Sequence, residues 1–170
     1  FPNDVLVTQT LTSKQASYFS LATPTLSSIS EADMAWAAVP GYFQGNYMQP
    51  NFALAYAYGH GVPTLPVVYR ERSASTLSPL VTTKTGITVS VIPDPDYCRD
   101  PWAKDKLTLH DWNIGLSHKN RKAQLAPTLY YPVLGEPKSD LKAGETVTFS
   151  FRYSLSEGDW FSMINHAAYD

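Results

Sequence analysis

From Glu145 to Leu155 the chain alternates. Val147, Phe149, Phe151, Tyr153 and Leu155 fall on one side, and Thr146, Thr148, Ser150, Arg152 and Ser154 on the other. A sustained period of two predicts a strand with one face buried and one wet. Gly86 to Ile92 repeats the pattern on a smaller scale, with Ile87, Val89 and Val91 opposed to Thr88 and Ser90. Further strands are expected at Asp4 to Leu11, Gln15 to Ala22, Phe52 to Tyr58, Leu65 to Arg72, Leu107 to Leu116 and Leu125 to Tyr131, short runs rich in β-branched and aromatic residues. One stretch reads as helix: Ser30 to Val39, where Ser30 and Asp33 form a weak capping box before Met34-Ala-Trp-Ala-Ala, stopped by Pro40-Gly41. A second helix is expected to open at the cap-type Asp159 and run from Trp160 to Asp170. The expected fold is all-β: an antiparallel β-sandwich with one or two short helices and the start of a C-terminal helix. Residues 1–158 form the sandwich, and 159–170 begin a linker helix toward a further domain of a longer parent chain.

Composition narrows the class. The 170 residues are 44% hydrophobic, enough for one domain with a core. Charged residues are only 16%, against roughly 25% in an average domain, while aromatic residues reach 13%, so many rings must be buried or displayed. With 13 Lys and Arg against 15 Asp and Glu the net charge is -2, which offers no broad basic surface to a phosphate backbone, and nucleic acid is not an expected partner. No apolar run approaches the ~20 residues of a membrane span. Cys98 is the only cysteine, which excludes an internal disulfide and a Cys-rich metal site. The chain opens on Phe1 without a signal segment, so it is expected to be processed or cut from something longer.

Candidate chemistry lies in three places. The loop from Pro93 to Lys106 carries Asp94, Asp96, Asp100 and Asp105, a set that suits a cation or an acid/base pair. Its Asp-Pro pairs are also ordinary turn chemistry, and its spacing is not that of a calcium loop. His110 and Trp112 share one strand face, on which an imidazole and a ring could meet a sugar; a packed or solvated face explains them as well. Trp36, Tyr42, Phe43 and Tyr47 lie close to Gln44 and Asn46, and rings beside amides suit carbohydrate, while the same rings would equally plug a gap toward a neighbouring domain. His60, His110, His118 and His166 show no metal-site spacing, no nucleophile elbow appears, and there is no phosphate loop, so neither a metal nor a cofactor is expected.

Three stretches carry a family resemblance: Trp36-Ala-Ala-Val-Pro-Gly-Tyr-Phe-Gln-Gly; Leu77-Ser-Pro-Leu with Gly86-Ile-Thr-Val-Ser-Val-Ile-Pro; and Tyr130-Tyr-Pro-Val-Leu-Gly-Glu leading to Leu141-Lys-Ala-Gly-Glu and on to Trp160. Together they resemble the N-terminal β-sandwich of bacterial six-hairpin glycoside hydrolases, a galactose-mutarotase-like supersandwich that packs on an (α/α)6 toroid. The resemblance implies a secreted or periplasmic, non-catalytic module of a polysaccharide-degrading enzyme. It further implies a downstream catalytic domain of the same chain as partner. The catalytic carboxylates of such enzymes lie in the toroid, so no catalytic residue is assigned here. Candidate sugar contacts are Trp36, Tyr42, Tyr47, Trp102, His110 and Trp112, and an independent carbohydrate-binding module is the alternative.

Overall fold

The computed structural model describes residues 4–71, 76–98 and 113–169. In chain order its elements are β1 (Asp4–Thr12), β2 (Ser17–Tyr18), β3 (Leu21–Ala22), β4 (Met34–Val39), β5 (Phe43–Gly45), β6 (Met48–Gln49), α1 (Phe52–Tyr58), β7 (Val62–Pro63), β8 (Tyr69–Arg70), β9 (Leu80–Thr83), β10 (Ile87–Pro93), β11 (Gly115–Lys119), β12 (Leu125–Tyr131), β13 (Asp140–Leu141), β14 (Thr146–Glu157) and α2 (Trp160–Tyr169). A six-stranded sheet, β1-β14-β10-β9-β4-β5, faces a four-stranded sheet, β3-β12-β11-β8, and all their pairings are antiparallel. Two small pairs, β2 with β13 and β6 with β7, flank them. The expected all-β sandwich is therefore the fold.

The alternation in β14 explains its place inside the sheet, between β1 and β10. Phe149, Phe151 and Tyr153 point inward and join Val91, Val81, Ala37 and Val39 from the same sheet, and Leu116, Leu125, Leu129 and Tyr131 from the other, in one core. Phe149 and Phe151 are fully buried, and the rings Tyr131, Phe149, Phe151 and Tyr153 touch in sequence at 4.7–5.3 Å. The opposite face of the large sheet is polar at β14 and apolar at β4 and β9. Ala38, Leu80 and the half-buried Trp36 receive Met163, Trp160 and Ile164 of α2, so that helix lies back on the sheet. Asp159 caps it, its Oδ1 accepting from the Phe161 and Ser162 amides at 3.1 Å.

Two expected elements change type. Phe52 to Tyr58 is a helix and not a strand. Phe52, Leu54, Tyr56 and Tyr58 alternate with alanines and mimic a period of two, yet the punctuation is helical. Asn51 Oδ1 accepts from the amides of Ala53 and Leu54 at 3.0 and 3.3 Å, and Gly59 closes the helix at φ 67°. Conversely, Ser30 caps only one 3-10 turn, Glu31–Asp33, after which Met34–Val39 is strand β4. Its run of alanines lies between α2 and the core, buried on both sides. Such a strand shows no alternation, and pairing with β9 and β5 overrides the helical propensity of alanine. The stretch Gln15 to Ala22 divides into β2 and β3, which pair with different partners, and within Leu65 to Arg72 only Tyr69–Arg70 is strand among the described residues. Of the strand expected from Leu107 to Leu116, positions 107–112 lie outside the described residues, and β11 begins at Gly115.

Candidate functional site

Both sheets end in short edge strands on the same side of the sandwich: β5 in the large sheet and β8 in the small one. Open edges invite pairing with other chains, and here rings cover them. Phe43 of β5 meets Tyr69 of β8 edge-on at 5.2 Å, and Tyr42 lies against Tyr69 at 4.2 Å while its hydroxyl donates to the Arg70 carbonyl at 2.5 Å. On top of this plug sits α1. Phe52 and Tyr56, one helical turn apart, stack at 5.5 Å with planes 7° apart, and Tyr56 stacks in turn on Tyr69 at 5.9 Å and 18°. The result is a ladder, Tyr42–Tyr69–Tyr56–Phe52, running from the sandwich edge to the surface.

The lower rungs are structural and the upper ones are displayed. Tyr69 is buried, and burial, with Tyr56 and Tyr42 beside it, pushes its hydroxyl far above the usual phenol range; among the described residues that hydroxyl has no hydrogen-bond partner. Phe52, Tyr56 and Tyr47 are 39%, 48% and 48% exposed, and Tyr58, at 70%, lies 6.4 Å from His60. Two glycines let this surface form. A Cβ on Gly45 would lie 2.7 Å from the Gly61 Cα, and one on Gly61, whose φ is +79°, would meet the Tyr47 ring at 2.8 Å. Backbone therefore passes backbone where β5 meets the chain entering β7, and Tyr47 folds over Gly61.

The sequence-derived candidates separate accordingly. Tyr42 and Tyr47 belong to this region, Tyr42 at the base of the ladder and Tyr47 just before β6, against which α1 packs. Trp36 is elsewhere: it stacks on Trp160 of α2 at 5.8 Å and 19°, and its indole N–H is buried without an acceptor. Trp102, His110 and Trp112 lie outside the described residues. Phe52, Tyr56 and Tyr58 are displayed rings that the expectation of a strand had hidden, since only a helix of 3.6 residues per turn brings Phe52 over Tyr56.

Two other groups of reactive side chains have structural geometry. Asp4 sits between β14 and α2: its Oδ2 is 3.2 Å from Arg152 Nη1, both oxygens are 3.0 Å from His166 Nε2, and Ser154 Oγ donates to Oδ1 at 2.5 Å. Burial works to raise this carboxyl, but the bonds from Ser154 and His166 and the charges of His166 and Arg152 outweigh it and hold the acid below its ordinary 3.8. A serine, a histidine and an aspartate are present, yet the carboxylate is at the centre and both Ser154 and His166 bond to it rather than to each other, so the set is a clamp and not a nucleophile–base relay. In the Pro93–Lys106 loop, Asp94 caps the 3-10 turn Pro95–Tyr97 through the Asp96 amide. Cys98 Sγ lies 3.7 Å from the Asp94 carbonyl, and burial, with Glu71 and Asp94 nearby, pushes its thiol up to about 12, far from a nucleophilic thiolate. Asp100 and Asp105 lie outside the described residues. Among the described residues no three His, Cys, Asp or Glu side chains gather as around a metal ion, and no helix is long and apolar enough to cross a membrane.

No protein family, no curated protein and no solved structure matches the chain.

Proposed function

We propose that this chain is a non-catalytic β-sandwich module that contacts carbohydrate through the ring strip on α1, as an accessory module of a glycoside hydrolase acting on polysaccharide. One observation carries the proposal. The plug between β5 and β8 needs only Phe43, Tyr69 and Tyr42, yet Tyr47, Phe52, Tyr56 and Tyr58 continue outward with His60 beside them. A pyranose presents an apolar face of C–H groups to such rings, and the phenol hydroxyls and imidazole supply donors and acceptors for its hydroxyls. The gathering of Asp4, Ser154 and His166 supports a structural role for those groups. The catalytic toroid and the secreted or periplasmic setting belong to the same reading and rest on the sequence resemblance.

The test is titration of the chain with neutral cello-, xylo- and galacto-oligosaccharides by calorimetry and by chemical-shift mapping. Millimolar to high-micromolar binding is expected for one of them, with shifts confined to Tyr47, α1 and His60. Phe52→Ala and Tyr56→Ala should each weaken it by about 1 kcal/mol, roughly fivefold, with the fold intact. Absence of heat and of shifts across the panel refutes the sugar contact.

A further inference from the structure

The outer face of the small sheet carries a second surface, remote in sequence from α1. There a groove of about 570 Å³ is lined by Tyr18, Phe19, Ser20, Val68, Arg121, Tyr130, Val133 and Leu134. Tyr130 of β12 lies in it, paired with Gly115 of β11 on one side and Ala22 of β3 on the other. Gly115 lets Val68 and Val133 of the groove close in, since a Cβ there would lie 2.5 Å from Val68 and 3.2 Å from Val133. A smaller polar hollow, formed by Thr23, Thr25, Asn120, Lys122 and Gln124, adjoins it and shares Arg121.

Arg121 is the hinge between the two. It projects from the tight turn joining β11 to β12, which is held by the buried Asn120. That side chain's Oδ1 accepts from the Lys122 and Gln124 amides at 2.9 and 3.0 Å, and its Nδ2 donates to Thr25 and to the Gln124 side chain at 2.9 Å. Ala123 takes a φ of 60° within the turn, a left-handed conformation that alanine rarely adopts. So fixed, Arg121 reaches back over the sheet: its Nη2 donates to the Ser20 carbonyl, and its guanidinium lies 5.7 Å from the centre of the Tyr130 ring. A guanidinium has five N–H donors, and among the described residues no carboxylate pairs with Arg121 or with the exposed Lys122. This cation is oriented in advance and, among the described residues, has no counter-ion, in a groove otherwise lined by Ser20 and by apolar and aromatic residues.

We propose that this groove binds an acidic saccharide, a chain of uronic acid residues. The planar carboxylate pairs with the Arg121 fork, the ring's apolar face packs on the exposed Tyr18 and Leu134, and Lys122 takes the carboxylate of a neighbouring residue. A bare oxyanion would use the guanidinium but not the rings. An acidic peptide would use the charges but gain little from a surface shaped for a flat apolar face. The inference extends the carbohydrate reading to a second surface, and the two are separable by mutation.

The experiment is titration of the chain with an oligogalacturonide, against a neutral galacto-oligosaccharide of equal length, sodium sulfate and an oligoglutamate peptide. The acidic sugar should bind, with an affinity that falls as salt rises and as its carboxylates are protonated. Arg121→Gln should weaken it about tenfold, Arg121→Lys should restore less than half of that loss in logarithmic terms, and Tyr18→Ala should weaken it severalfold. These side chains are exposed, so thermal midpoints should stay put, whereas Phe52→Ala should leave uronide binding untouched. The proposal is overturned by absence of uronide binding at about 10 mM. It is equally overturned if Arg121→Gln binds as tightly as the parent chain, or if the neutral sugar, sulfate or the glutamate peptide binds as well as the uronide. Loss of α1-dependent binding of neutral sugars alone would leave it standing.

Discussion

His118 shows how one side chain's surroundings set its chemistry. The sequence offered it as one of four histidines without a metal spacing. In the fold it is fully buried against Phe43, its Nε2 is 2.8 Å from the Pro63 carbonyl, and its Nδ1 has no partner. Burial lowers its pKa to about 4; the bond to Pro63 and Glu31 act in the opposite sense, and the nearby Lys119 ammonium reinforces the shift. The unfolded chain takes up this proton near 6.5 and the native ring only near 4. Between those values the unfolded state binds more protons, so stability is complete above pH 6.5 and declines as the pH falls toward 4, by about 3 kcal/mol at the lower end. His118→Gln keeps a donor for Pro63 and does not titrate. Its denaturation midpoint should be flatter over that interval, and an unchanged pH slope would show that another group is responsible. No local signal in Ser117-His-Lys119 announces any of this, because desolvation is a property of what packs against the ring.

At the scale of elements, the ring strip depends on how closely β5 and the chain entering β7 approach. Gly45 and Gly61 are in backbone contact, and neither main chain can yield as a flexible side chain would. Gly45→Ala should therefore cost about 2 kcal/mol or more in chemical denaturation and loosen the seating of α1. Fluorescence or chemical shifts of Tyr47 and Tyr56 would report the displacement. Gly144→Ala, at a turn glycine with φ +85° but open space around it, should cost less. A variant Gly45→Ala as stable as the parent would mean that the contact is not a constraint. The helix above shows where pattern reading fails. Phe-Ala-Leu-Ala-Tyr-Ala-Tyr alternates as well as any strand, and the deciding residues were its neighbours, Asn51 as cap and Gly59 as terminator. Asp159 and α2 were legible for the same reason read correctly: a cap is a local hydrogen bond, available to the sequence without any tertiary knowledge.

Across the whole molecule, side-chain polar contacts tie groups distant in the chain as the strand pairing does. Asp4 and His166 are 162 residues apart and join β1, β14 and α2 at one point. Because the folded carboxyl sits below 3.8, this clamp contributes fully above that pH and is lost as the pH falls through the lower native value. Asp4→Asn should destabilise by about 2 kcal/mol at neutral pH and by progressively less as the pH falls below 3.8, with faster amide exchange in α2. A loss that does not shrink as the pH is lowered would show that packing, not charge, is at stake. The bond from Arg121 to the Ser20 carbonyl, 101 residues away in the chain, has the same character. From its sequence alone, the chain declared its all-β class, the strands β1, β10, β12 and β14, and the cap of α2. Alternation and capping are geometric facts about neighbours in the chain. Which of its many rings would be core, plug or surface, whether Met34–Val39 would be strand or helix, and where Arg121 would come to rest were decided only in the assembled sandwich. Those outcomes depend on which strand lies beside which, and a strand's own residues do not contain that information.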